Sequence, residues 1–142
     1  MPMPLEYRQA SADFDAFMKD LVATSMIQTS HQAYTMLQAV LQVFRRRLTV
    51  RQAIAFANVL PPVLRAIFVS DWDVEAPIKP FLDRDALMKE VRAFRHDHNL
   101  STDTALEDVT VVLRRHVDQA AFERVLSQLP PEARGFWFIG RA

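Results

Sequence analysis

Two cationic clusters are the residues of this chain whose types and spacing first suggest chemistry. Arg45-Arg46-Arg47 closes one apolar-periodic stretch, and Arg114-Arg115-His116 closes another 69 positions later. Guanidinium groups in a run can grip a phosphate backbone or an acidic partner. Cations at a helix end also complement the negative pole of the helix dipole, which is the simpler reading of both clusters. The short connections after them could supply the turn of a helix-turn-helix. However, no glycine marks those turns, and few basic or amide residues follow to read base edges. Polyanion binding through Arg45, Arg46, Arg47, Arg114 and Arg115 is therefore the alternative, and nucleic acid is not the expected partner.

Other constellations fall short of their chemistry. His96-Asp97-His98 places two imidazoles two residues apart, on nearly opposite faces of a helix, so both reach one ion only where the helix has frayed. Asp71, Asp73 and Glu75 alternate like the start of a calcium loop. Ala76 then stands where that loop needs glycine, and Leu82 where it needs glutamate. There is no cysteine, no serine in a glycine-flanked elbow and no glycine-rich phosphate loop. No carboxylate pair is set in an apolar pocket for acid–base work, so an enzyme would need a site assembled from distant residues. Neither a metal nor a cofactor is expected.

The apolar ends of two short segments carry more weight. Val63-Leu64-Arg65-Ala66-Ile67-Phe68-Val69 is apolar nearly all round, and Phe136-Trp137-Phe138-Ile139 more so. A helix without a polar face lies in a core or is covered by something else. Three adjacent aromatics cannot all face one core, so Phe136, Trp137 and Phe138 are candidates for a protein-interaction surface.

The elements that must position these residues read as helices. Two glycines in 142 residues are too few for the tight turns of a many-stranded fold, and the eight prolines fall mostly between apolar-periodic stretches. Residues 1–10 read as an irregular lead-in. Ser11 is expected to cap a helix to about Thr24, and Thr29-Ser30-His31-Gln32 to open one to about Arg47. Thr49-Val50-Arg51-Gln52 is a second capping box, for a helix ending near Leu60. Pro61-Pro62 then begins a fourth, through about Ser70. Residues 73–82 read as a solvated linker. Beyond it Asp83 caps a helix to about His98, Ser101 or Thr102 one to about Val117, Asp118 one to Leu129, and Pro130-Pro131 starts a last helix through about Ile139.

The second set mirrors the first. Asp13–Leu21 is answered by Asp83–Val91, and positions 35–69 align without a gap on 104–138 with ten identities, among them Leu60-Pro61-Pro62 with Arg65 against Leu129-Pro130-Pro131 with Arg134. The expected architecture is all-α: a tandem duplication of a four-helix unit, residues 11–72 and 83–141, packed as a single domain over 1–142. Formal net charge is zero, with seventeen basic and seventeen acidic side chains. Divided after Trp72, the parts carry +2 and −2, too slight a field to call for nucleic acid or an anionic membrane. No signal peptide is apparent and no apolar stretch approaches the roughly 20 residues of a membrane span, so a soluble cytoplasmic protein is expected.

With Arg45-Arg46-Arg47-Leu48, Leu60-Pro61-Pro62-Val63-Leu64-Arg65, Phe68 and Asp71-Trp72-Asp73 in place, the chain resembles the bacterial domain-of-unknown-function family DUF2267 from about Tyr7 to Trp137. Members often carry glycine before the tryptophan, where this chain has Asp71. The resemblance implies an all-helical fold, and it brings with it no assigned activity and no catalytic residue. The apolar C-terminal segment, not the resemblance, gives the functional expectation: a non-enzymatic interaction or scaffold module that forms a homo-oligomer or docks a protein partner through Phe136, Trp137 and Phe138.

Overall fold

Local signals start and stop most of the helices where the sequence places them. The computed structural model describes residues 2–94 and 102–139 and, among these, nine α-helices and no strand. They are α1 (Leu5–Arg8), α2 (Ala10–Ser25), α3 (Ser30–Arg45), α4 (Val50–Ala57), α5 (Pro62–Val69), α6 (Arg84–Ala93), α7 (Ala105–Arg115), α8 (Gln119–Ser127) and α9 (Pro131–Phe136). The Thr29 hydroxyl accepts from the Gln32 amide at 3.1 Å. The Thr49 box closes in both directions, Gln52 N–H to Thr49 Oγ1 at 3.1 Å and Thr49 N–H to Gln52 Oε1 at 2.9 Å. Asp83 and Asp118 cap α6 and α8 through the amides of Ala86 and Ala121. Pro62 and Pro131 each occupy a first helical position, where the missing N–H is no loss.

Three expectations need correction. Residues 5–8 of the lead-in are helical, and Ser11 does not cap α2. The backbone runs almost unbroken from α1 into α2, with Gln9 N–H donating to Leu5 O and Asp13 N–H to Gln9 O, and Gln9, not Ser11, stands at the start of α2. Thr104, not Thr102, stands at the start of α7, and its hydroxyl donates to Asp108 instead of capping. The Asp108 carboxyl is pushed up, by burial first and then by neighbouring Glu107, against the pull of that hydrogen bond. Finally, α9 stops at Phe136, and Phe138 and Ile139 leave the helix. Ser101 and the His96-Asp97-His98 motif lie outside the described residues.

The core forms around α3. Met36, Leu37, Val40, Leu41, Val43 and Phe44 are fully buried, and α3 packs against α2, α5, α6 and α7. One aromatic cluster ties both halves of the chain together. Phe44 lies 4.8 Å from Phe56 and 4.8 Å from Phe136, centroid to centroid, and Trp137 stacks on Phe56 at 5.6 Å and meets Phe122 edge-on at 6.2 Å. Neither half buries these rings alone.

The segment between α5 and α6 is exposed along most of its length but anchored at its far end. Lys79 N–H donates to Arg46 O, Pro80 O accepts from Arg47 Nε, and Phe81 packs against Phe44. Its first residues turn sharply at Asp71, which has a positive φ of 53°.

Candidate interaction surface

The arginine clusters are mostly spent inside the fold. Arg45, at the end of α3, donates from one terminal nitrogen to Phe68 O at 2.9 Å and to Ser70 O at 3.0 Å. Gln42, one turn earlier, donates to Ile67 O, Ser70 O and Ser70 Oγ. Together they satisfy carbonyls at the end of α5, which has no glycine cap. The Trp72 ring lies 5.3 Å from the Arg45 guanidinium. Burial first, and then the neighbouring Arg46 charge, lower the pKa of Arg45, while Asp71 opposes them.

Arg47 is buried to its tip and grips Glu90 of α6 with both terminal nitrogens, at 2.6 and 2.8 Å. Arg46 reaches the same carboxylate at 3.1 Å, and Lys79 stands 3.9 Å away. Burial alone would raise the Glu90 pKa. The Arg47 hydrogen bonds and charge, then Arg46 and Lys79, outweigh it and hold the carboxyl at about 2.

The second cluster is arranged the other way round. Arg115 donates to Asp20 of α2 at 2.6 Å, and His116 Nε2 lies 3.0 Å from the other oxygen of the same carboxylate. Burial raises the Asp20 pKa, but bonds from His116 and Thr24 and the Arg115 charge bring it below its ordinary value. Asp20 and Glu90 occupy matching places in the repeated acidic segments, as Arg46-Arg47 and Arg115-His116 do at the ends of α3 and α7. Each acid therefore pairs with the basic helix end of the opposite half. Arg114 repeats the role of Arg45: its Nε donates to Trp137 O at 2.7 Å, while it also bonds Glu123 and stacks on Phe122.

The C-terminal aromatics divide. Phe136 and Trp137 are 2 % and 0 % exposed, whereas Phe138 is 59 % and Ile139 42 % exposed. The expected surface of three aromatics is corrected accordingly. The last helix ends at Phe136, so Phe136 and Trp137 fill the cavity between α3, α4 and α8, and only Phe138 turns outward. Beside it lies an open groove of about 900 Å³, its lining a mixture of apolar residues (Val111, Phe138, Ile139) and polar ones (Arg114, Arg115, Gln119, Glu123, Arg134). Arg134 makes no hydrogen bond or ion pair with the described residues.

Sequence reasoning missed Glu90, Asp20, Gln42, Arg134 and Ile139. For Glu90 and Asp20 a signal existed: an acidic position that recurs 70 residues on invites pairing with a basic one that recurs 69 residues on. Gln42 and Arg134 carried none, because their roles depend on distant backbone. A smaller cleft of about 320 Å³ between α2, α5 and α7 brings Asp13, Arg115 and His116 against Phe14, Phe17 and Leu64. Both basic groups there are already bonded to Asp20. Among the described residues, no group of three His, Cys, Asp or Glu could hold a metal ion. No helix there is long and apolar enough to cross a membrane.

No curated protein matches the chain. The family model described as "Uncharacterized conserved protein (DUF2267)" matches residues 14–136. With nearly its whole length matched and an all-helical fold, the chain belongs to the DUF2267 family.

Proposed function

We propose that this protein is a non-enzymatic interaction module, built by tandem duplication of a four-helix unit, whose docking surface is the groove beside Phe138. Support for the duplication comes from equal offsets. Arg45 to Phe68 and Arg114 to Trp137 are the same contact displaced by 69 residues, and the acid–base pairs across the halves are reciprocal. Reciprocal pairing is how two like units meet across a two-fold axis.

The observation that carries the docking reading is the exposure of Phe138 and Ile139 next to an arginine with no partner among the described residues. Adjacent large apolar side chains left in water beside unspent charge mark a surface that something covers. The polyanion reading has less behind it. Arg45 and Arg47 are buried, and Arg46, Arg114 and Arg115 each already hold a carboxylate.

Phe138→Glu tests the docking reading. The side chain is exposed, so the variant is expected to fold with unchanged helicity and to lose self-association or partner capture. A folded variant that assembles and captures partners as the parent does refutes the assignment.

A further inference from the structure

Three arginines are drawn into the fold at the ends of α3 and α7, and among the described residues Arg45 alone of them meets no carboxylate. Arg47 holds Glu90 and Arg114 holds Glu123. Arg45, 7 % exposed, sends both of its hydrogen bonds from Nη1 to the carbonyls of Phe68 and Ser70, and its Nε is buried without a partner. The offset that takes Arg45 to Arg114 takes Ile54 to Glu123, so the first half has an isoleucine where the second has the acid. A charge withdrawn from water without a contacting counterion is costly, and a ligand that supplies one is favoured.

Arg45 lines a cleft of about 210 Å³ between the end of α3 and the segment 71–78. Leu48, Val50, Trp72, Val74 and Ile78 give that cleft an apolar wall, and Val50, Val74 and Ile78 are each about half exposed. Two other charges of the lining are engaged: Arg46 holds Glu90, and Asp73 accepts from the Glu75 amide. Asp71 also lines the cleft and makes no hydrogen bond or ion pair with the described residues, its charge acting on Arg45 only from a distance. One small space therefore presents a cation without a contacting acid, a carboxylate without a contacting base, and an aliphatic wall.

We infer that this cleft binds a free α-amino acid with an aliphatic side chain, its carboxylate on Arg45, its ammonium on Asp71 and its side chain against Val50, Val74 and Ile78. The cleft is smaller than the roughly 300–1,000 Å³ of pockets for drug-sized ligands, which excludes a nucleotide or a peptide. A bare anion would be repelled by Asp71 and a bare amine by Arg45, so a ligand carrying both charges is preferred. The site shares no residue with the groove beside Phe138 and is independent of the docking reading.

The probe is L-leucine, titrated into the isotope-labelled full chain and followed by NMR at the indole N–H of Trp72, a signal that Trp72→Phe identifies. Saturable movement of that signal is expected, while the indole of Trp137, fully buried in the core, stays in place. Isocaproate, which lacks the ammonium, and isoamylamine, which lacks the carboxylate, should each bind about tenfold or more weakly. Arg45→Met would also release the end of α5, so the variants that carry the test are Asp71→Asn and Ile78→Asp. Asparagine tolerates the left-handed turn. Asp71→Asn should weaken leucine by about tenfold without weakening isocaproate, and Ile78→Asp should weaken both. The inference is overturned if leucine gives no saturable movement, or if its binding is unchanged in either variant. Isocaproate binding as tightly as leucine overturns it too, and makes the cleft a simple anion site.

Discussion

Replacing Glu90 by glutamine should be among the most damaging single-atom changes this fold can suffer. The Arg47 guanidinium is wholly buried, and Glu90, whose side chain is 17 % exposed, neutralises it through two hydrogen bonds at 2.6 and 2.8 Å. Removing one partner of such a pair strands the other charge in the core, which costs about 3–5 kcal/mol. An independent route reaches a similar size. A carboxyl held at about 2 in the fold, against 4.5 when free, corresponds to roughly 3 kcal/mol of stability at neutral pH. Because the folded pKa is the lower one, that contribution is complete above about pH 4.5 and drains away as pH falls toward 2.

Urea unfolding followed by circular dichroism, for parent and Glu90→Gln at neutral pH and near pH 3, measures both quantities. The parent should exceed the variant by about 3 kcal/mol at neutral pH, and the gap should shrink on acidification. The double variant Arg47→Met/Glu90→Leu should recover most of the loss, because no buried charge is then left unpaired. Asp20→Asn serves as an internal comparison. Its partner Arg115 is half exposed, so the loss there should stay below about 1 kcal/mol. A neutral-pH loss for Glu90→Gln under about 1 kcal/mol, or a gap that does not change with pH, would refute the reasoning.

Two further outcomes follow from packing and backbone geometry. Trp137→Ala empties a fully buried site touching Phe44, Phe56, Phe122 and Phe136, and should cost about 3–5 kcal/mol in urea unfolding. A loss below about 1 kcal/mol would mean the ring is not in the core. Asp71 sits at φ 53°, in the left-handed region that costs a residue with a Cβ about 1–2 kcal/mol. Asp71→Gly should leave the unfolding midpoint unchanged or raise it, and Asp71→Val should lower it. A midpoint that falls with glycine contradicts the strain argument.

The left-handed turn at Asp71 also gives a physical account of the glycine that family members often carry before this tryptophan. The turn is needed to bring Trp72 back over Arg45, where ring and guanidinium lie 5.3 Å apart. An aspartate tolerates that geometry better than most residues with a side chain.

Much of the helical frame was legible in the chain because its signals are local. A threonine or aspartate hydrogen-bonds an amide three residues on, and a proline dictates the conformation beside it, wherever the segment lies. Thr29, Thr49, Asp83 and Asp118 cap their helices on these terms alone, and Pro62 and Pro131 open theirs. Glycine scarcity and apolar spacing likewise settle the all-helical class without any tertiary contact. Ser11 escaped the rule because α2 begins at Ala10, which puts Ser11 inside the first turn and not ahead of it.

Only the tertiary structure decided which side chains are surface. Phe136, Trp137 and Phe138 are indistinguishable by type and adjacent in sequence. Their burial depends on Phe44, Phe56 and Phe122, contributed by three other helices, and on where α9 releases the chain. The arginines divide for the same reason. Arg47 finds Glu90 43 residues away and disappears into the core, while Arg134 faces an open groove. Sequence sets the charge and the helical phase of each residue. Whether that charge is neutralised inside or left for a partner is decided by the opposite half of the molecule, because electrostatic and apolar contacts act across space and not along the chain.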